Sequence, residues 1–193
     1  VDIGGTNTRV ALIDENYTVV ERVSFSTDSV SPSVTIERIA EVVMSFDHEI
    51  VGIGVSCPGP LDLINGVVLT PPNLKGWHGY RVEHELSQLT QLKVYLENDA
   101  NLAGLAEATI GAGVGMDYVQ YFTISTGVGG GFTVKQEIFH GARGYAQEVA
   151  NVILKPNGFK LNDLQAGSLE SLCSGTAITA RGVAEGLSVS HAG

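Results

Sequence analysis

A chain of 193 residues, 44% apolar and 17% charged, is long enough to bury a real core and has the balance of a globular protein. Its net charge of −10, with 11 basic residues spread singly, excludes the Lys/Arg stripe that a nucleic acid or an anionic membrane surface requires of a partner. Cys57 and Cys173 form no CxxC pattern, which suits free, buried thiols in a reducing cytoplasm, and no apolar run approaches the about 20 residues of a membrane span.

The chain opens at Val1-Asp2 in mid-strand, with neither a methionine nor a signal peptide, as a trimmed chain would. Val1 to Ile3 reads as the end of a strand, Gly4-Gly5 as a turn, and Arg9 to Asp14 as the returning strand. A polar Asp14-Glu15-Asn16 turn leads into a third strand, Tyr17 to Phe25. From Ser33 to Phe46 the apolar residues recur near a 3.6-residue period, which predicts a helix capped by Ser31 or Ser33. The continuous apolar run Ile50 to Val55 predicts a strand buried on both faces, stopped by Pro58-Gly59-Pro60.

Further along, Val67 to Thr70 is a short strand, Pro71 to Trp77 irregular, Tyr80 to Leu89 a helix and Leu92 to Leu96 a strand. A helix of small residues follows from Asn98 to Ile110, ended by Gly111 and Gly113. The domain boundary is expected there, giving lobes 1–112 and 113–193. The second lobe begins with a hairpin, Tyr118 to Ile124 and Gly131 to Val134, then a polar loop from Asn157 to Gly167 and a helix from Thr176 to Glu185. Strands and helices mixed in both halves give an α/β class.

Three short segments carry chemistry. In the first turn, Gly4 and Gly5 let backbone N–H groups approach a phosphate, Thr6, Thr8 and Arg9 offer further donors, and Asp2 can hold Mg²⁺ through water. An ordinary tight hairpin is the plainer reading of the same residues. The run Thr126-Gly127-Val128-Gly129-Gly130-Gly131 says more. Each of its glycines costs about 0.5–1 kcal/mol of backbone entropy relative to alanine, so something must approach this backbone closely. A nucleotide phosphate on Thr126, Gly127, Gly129 and Gly130 fits. No Walker Lys-Ser/Thr follows, and neither turn has Rossmann spacing.

Between the turns, Glu97-Asn98-Asp99 ends a strand and opens a helix. Asp99 reads either as a helix cap or as a carboxylate kept charged by the helix terminus, able to take the proton of an attacking hydroxyl. Asn98 can bond neighbouring hydroxyls. The histidines His48, His78, His84, His140 and His191 have no metal-ligand spacing and read as surface or loop residues. Trp77 reads equally as a cleft-edge residue or a core plug. The layout points to phosphoryl transfer from a nucleotide to a small hydroxylated substrate.

Taken in order, these motifs resemble the ROK family (repressors, open reading frames and sugar kinases) of the actin-like ATPase, or ribonuclease H-like, fold. The residues that carry the resemblance are Asp2-Ile3-Gly4-Gly5-Thr6, Gly52 to Val55 with Pro58-Gly59-Pro60, Pro72-Asn73-Leu74 with Gly76-Trp77, Glu97 to Asn101, and Ser125 to Gly131. Glu148, Glu170 and Ser174-Gly175-Thr176-Ala177 complete the set. The resemblance implies two lobes around a sugar and nucleotide cleft, Asp99 as general base, and Gly59, Asn73, Asn98, Glu148 and Glu170 around the sugar. It implies an ATP-dependent kinase of a hexose or N-acetylhexosamine using Mg²⁺, commonly dimeric. A sugar-binding regulator of the same family, whose DNA-binding segment would precede Val1, is the alternative.

Two departures stand out. Where the family holds a structural zinc with one histidine and three cysteines, this chain has Asn151, Leu161, Asp163 and Ser168, so no zinc is expected and Asn151 takes the histidine's place beside the sugar. Gln147 and Ala150 replace the usual glycines around Glu148. The family also continues past the length of this chain, with a further glycine turn and much of the adenosine pocket.

Overall fold

Alternation and helical period set the first hundred residues in a computed structural model that describes residues 1–188. Strands β1 (Asp2–Ile3) and β2 (Asn7–Ile13) form a hairpin on the Gly4-Gly5 turn, and β3 (Val19–Ser26) returns against β2. Helix α1 (Pro32–Ser45) leads to β4 (Ile53–Cys57), and β5 (Leu61–Asp62) pairs with β6 (Val67–Val68) in a small hairpin. A single 3-10 turn at Lys75–Trp77, helix α2 (Val82–Thr90) and β7 (Val94–Asn98) follow. The main sheet has the order β3-β2-β1-β4-β7, antiparallel from β1 to β3 and parallel from β1 through β4 to β7.

One face of that sheet makes the core. Ile36, Ile39 and Val43 of α1 and Leu86 of α2 pack with Val10, Ile53, Val55 and Leu96, all buried. The burial of β4 corrects the reading of its apolar run. Ile53, Val55 and Cys57 are buried while Gly54 is exposed and Val51 is 90% exposed, so within this chain only one face is covered. Ser31 stands at the cap of α1 behind Pro32, but its side chain makes no capping bond. The Asp28 carboxylate instead accepts the N–H groups of Val30 and Ser31 at 2.9 and 2.8 Å.

Val1–Asp99 is one compact unit, and a second begins at Ala100, so α3 (Asp99–Ile110), grouped with the first lobe in the sequence reading, clusters with the second. Here β8 (Tyr118–Ile124), β9 (Val128–Val134) and β10 (Glu137–Ile138) form an antiparallel sheet in the order β10-β9-β8. Helix α3 is closed by the Gly113 N–H on the Glu107 carbonyl at 2.8 Å. A 3-10 turn at Val149–Asn151 precedes α4 (Leu169–Cys173) and α5 (Gly175–Ala184). The sequence reading missed α4, whose first turn is capped by the Ser168 hydroxyl on the Ser171 N–H.

The small residues of α3 and the glycines of β9 turn out to be two sides of one packing. Ala100, Gly104 and Ala108 are buried, and a Cβ on Gly104 would lie 3.3 Å from the Tyr121 Cβ and 3.4 Å from Gly131. A Cβ on Gly131 would stand 2.5 Å from the Ala100 carbonyl oxygen, a separation that no real side chain occupies. Helix and strand approach backbone to backbone because neither presents a side chain.

Candidate active site

In the first unit the parallel strands end together. Asp2 is paired with Ser56 and Ser56 with Glu97, a row across β1, β4 and β7, with Cys57 paired to Asn98 one step further on. The order changes direction at β1, whose neighbours β2 and β4 lie on opposite sides, and open α/β sheets take ligands beyond the carboxyl ends of their strands at such a point. Asp99 follows directly as the first residue of α3. Gly59 closes on the same place: a Cβ there would be 3.2 Å from the Asn98 amide nitrogen. The Glu97 carboxylate turns back to accept the Asn98 N–H at 2.8 Å.

Cys57 lies under this edge. Burial pushes its thiol up to about 12, with the charge of Asp99 and then that of Asp2 adding to the shift. The thiol is therefore neutral and unreactive, as its context suggested.

The first glycine turn is held by its own chain. Gly4 donates its N–H to the Asn7 carbonyl at 3.0 Å, and the Thr6 carbonyl accepts from the Thr27 N–H at 2.9 Å. Of the donors expected here, Thr6 is exposed, whereas Thr8 is fully buried and shares a 2.8 Å hydrogen bond with the Thr27 hydroxyl. Thr8 thus braces the turn from behind. Arg9 pairs with Asp2 at 2.8 Å, both about half exposed, an exposed ion pair worth about 1 kcal/mol or less. Gly5 is glycine for a specific reason: a Cβ would stand 2.6 Å from the Cβ of Asn73. Asn73 of the expected substrate loop is therefore seated on the expected phosphate turn.

That loop is anchored through Trp77, which is fully buried and donates its indole N–H to the Asp28 carbonyl at 2.9 Å. Of its two readings, the core plug is the observed one. Gly76 adds a 2.8 Å bond to the Ser29 carbonyl and sits where a Cβ would overlap the Val30 carbonyl.

In the second unit, the glycine run is mostly strand. The turn proper is Ser125 to Gly127, with Thr126 exposed, and β9 starts at Val128. The close approach that the glycines predicted is made by the protein itself. Gly129 faces Ala100 and Thr123, Gly130 faces Val149 and the Gln147 carbonyl, and Gly127 faces Glu170. Glu170 accepts the Val128 N–H through Oε2 at 2.9 Å. The carbonyl of Ser125 accepts from the Gly175 N–H, and that of Thr126 from the Thr176 hydroxyl, both at 2.8 Å. Thr176 was not among the expected site residues, although the Ser174-Gly175-Thr176 string had been singled out.

Glu148 and Glu170 come close enough to interact. Burial holds the Glu148 carboxyl above its usual range, and the charge of Glu170 raises it further. Gln147, in place of a glycine, takes a left-handed φ of 68° to bring Glu148 there. Asn151 is exposed at the end of its 3-10 turn.

The loop after it is closed by hydrogen bonds and one apolar plug. Leu154 and Lys155 donate to the Gly167 carbonyl at 2.9 and 3.2 Å, and Gly167 donates to the Phe159 carbonyl at 2.9 Å. Leu161 is buried, its N–H reaching the Ser171 hydroxyl at 3.3 Å, and that hydroxyl donates to the Gln165 carbonyl at 3.0 Å. Among the described residues no group of three or more His, Cys, Asp or Glu side chains lies placed to hold a metal, and no helix is long and apolar enough to cross a membrane. His191 lies outside the described residues.

Comparison with known proteins identifies the family and the fold. The model of the ROK family matches residues 1–191. A glucokinase of Thermotoga maritima is 37% identical over 182 residues, which are 92% of this chain but 57% of that protein. A ROK hexokinase from Thermus thermophilus superimposes with a TM-score of 0.87 at 32% identity, over 97% of this chain and 64% of its own. A ROK glucokinase from Streptomyces griseus, solved with glucose and AMPPNP, matches at 0.74 and 28% identity, over 95% of this chain and 60% of its own. The fold is that of the ROK sugar kinases, the actin-like ATPase fold. The chain spans less than two thirds of the length of each of these relatives.

Proposed function

Since this chain belongs to the ROK family, we propose that it works as an ATP-dependent kinase of a hexose or N-acetylhexosamine. The observation that carries the reading is the convergence of Gly59, Asn98 and Asp99 at the carboxyl ends of β4 and β7, a carboxylate beside two groups suited to hold a polyol. Kinship with glucokinases supports the substrate class.

In this mechanism Asp99 accepts the proton of the attacking sugar hydroxyl. The oxygen forms its bond to the γ-phosphorus as the bond to the β-phosphate oxygen breaks, and ADP leaves. In the first unit Asn98, Asn73 and Gly59 suit the orientation of a polyol, and in the second Glu148, Glu170 and Asn151 offer acceptors for hydroxyls. A Glu148 carboxyl raised by burial strengthens its dependence on a bound partner. Phosphate oxygens suit the first turn at Gly5 and the exposed Thr6 in one unit, and the exposed Thr126 beside Gly127 in the other. Mg²⁺ neutralises phosphate charge when bound. Asp2, half exposed and paired with Arg9, suits a ligand acting through water, since Mg²⁺ keeps several waters.

The deciding experiment is ADP release from Mg-ATP across a panel of hexoses and N-acetylhexosamines, with the intact protein. Turnover with one of them establishes the reaction and its substrate. No turnover with any, alongside measurable sugar binding, would favour the regulator.

Two further results are expected. Gly5→Ala drives a methyl into Asn73, so it should raise the KM for sugar by about tenfold or more, as well as that for ATP, because displacements of an ångström at such sites are that costly. A change in the ATP constant alone would refute the contact's role. We also propose that the protein carries no structural zinc. Elemental analysis of the purified protein should find no stoichiometric zinc, and Leu161→Ala should cost about 2–3 kcal/mol by emptying the plug that closes the loop. Stoichiometric zinc would overturn this.

A further inference from the structure

The Glu170 carboxylate has neighbours of two kinds. One is Glu148, whose carboxyl feels its charge. The other is the second glycine turn. Glu170 Oε2 accepts the Val128 N–H at 2.9 Å, and a Cβ built on Gly127 would lie 3.0 Å from that same oxygen and 3.4 Å from Cδ. A side chain at 127 would crowd that carboxylate, which lies over the turn. The peptide joining Gly127 to Val128 is held from the Glu170 side, and the part of the turn before it is held by α5 through the carbonyls of Ser125 and Thr126.

We infer that Glu170 is a positioning residue for the second glycine turn: beyond any contact with sugar, its carboxylate fixes the Gly127–Val128 peptide in the shape that receives a nucleotide phosphate. The inference rests on the kinase reading for the identity of the ligand. The geometry behind it is independent of that reading. A hydrogen bond to a charged acceptor is roughly twice as strong as a neutral one, so losing it loosens the Val128 end of the turn while α5 still holds Ser125 and Thr126.

The test compares Glu170→Ala with Glu170→Gln in the intact protein. The amide oxygen of Gln keeps an acceptor for Val128 and Ala does not. Two quantities are read: hydrogen exchange of the peptide spanning residues 124–130 without ligand, and the affinity for Mg-ATP without sugar. With a charge-assisted bond lost, Glu170→Ala should exchange about tenfold faster there and bind Mg-ATP about tenfold more weakly. Glu170→Gln should return both to within about threefold of wild type, while sugar affinity stays weakened in both variants.

Unchanged exchange in Glu170→Ala, unchanged Mg-ATP affinity in it, or a Gln variant no better than Ala would each overturn the inference. A fold defect alone would leave Gln and Ala alike. A wild-type protein that binds no Mg-ATP would instead bring down the kinase reading and the nucleotide half of the inference, with hydrogen exchange still deciding whether Glu170 fixes the turn.

Discussion

Replacing Asp99 by Asn should lower turnover by about 10²–10⁴-fold, the usual worth of a general base, while sugar affinity stays within about threefold. The change keeps shape and leaves a side chain that can cap a helix as well as Asp does. It removes only the ability to take a proton. That separates the two roles open to this residue. A cap alone predicts an enzyme of normal rate, and a base alone predicts a folded protein that binds sugar and turns over slowly. The measurement is single-turnover ADP formation with saturating sugar and Mg-ATP, which excludes product release from the observed rate. Turnover within tenfold of wild type would remove Asp99 from the mechanism.

The second large effect concerns stability. Trp77 is fully buried, touches Tyr80 at 5.9 Å between ring centroids, and carries the 2.9 Å bond to the Asp28 carbonyl. Trp77→Ala should cost about 3–5 kcal/mol, a large share of the about 5–15 kcal/mol that holds a domain folded. Trp77→Phe keeps much of the volume and loses only the indole bond to the half-buried Asp28 carbonyl, worth about 0.5–1.5 kcal/mol. Because Trp77 is the sole tryptophan, urea titrations should be followed by far-ultraviolet circular dichroism rather than fluorescence. A loss under about 1 kcal/mol in Trp77→Ala would mean that the two loops are held elsewhere.

Local pattern was legible where it was strong. The 3.6-residue recurrence over α1, the hairpin signals around β2 and the second-unit pair β8 and β9 all correspond to elements of the structure. It failed at β4, where an apolar run without alternation hid both the register and the open face. It failed again at α4, whose five residues are too few to show a period. The candidate site divided along another line. That glycines at 127–131 need a close neighbour was readable from their entropic cost. Which neighbour was not, because Ala100, Val149 and Glu170 are brought in by tertiary packing. Thr8 is the same case in reverse: a hydroxyl beside a turn suggested a donor for phosphate, and its partner Thr27 lies nineteen residues away on the far side of a strand pair.

The crowding of β9 also decides which positions of the glycine run can take a side chain. A Cβ on Gly131 would stand 2.5 Å from the Ala100 carbonyl oxygen, which cannot move, and one on Gly129 or Gly130 would meet Thr123 or Val149 at 3.0 or 3.1 Å, which must shift to admit it. Ser125 and Thr126 are exposed, and what is tied down is their backbone: both carbonyls, and the Ser125 N–H, which donates to the Gly127 carbonyl at 2.9 Å. Sequence variation in this segment is therefore confined by packing to those two side chains, with the strand behind them left untouched.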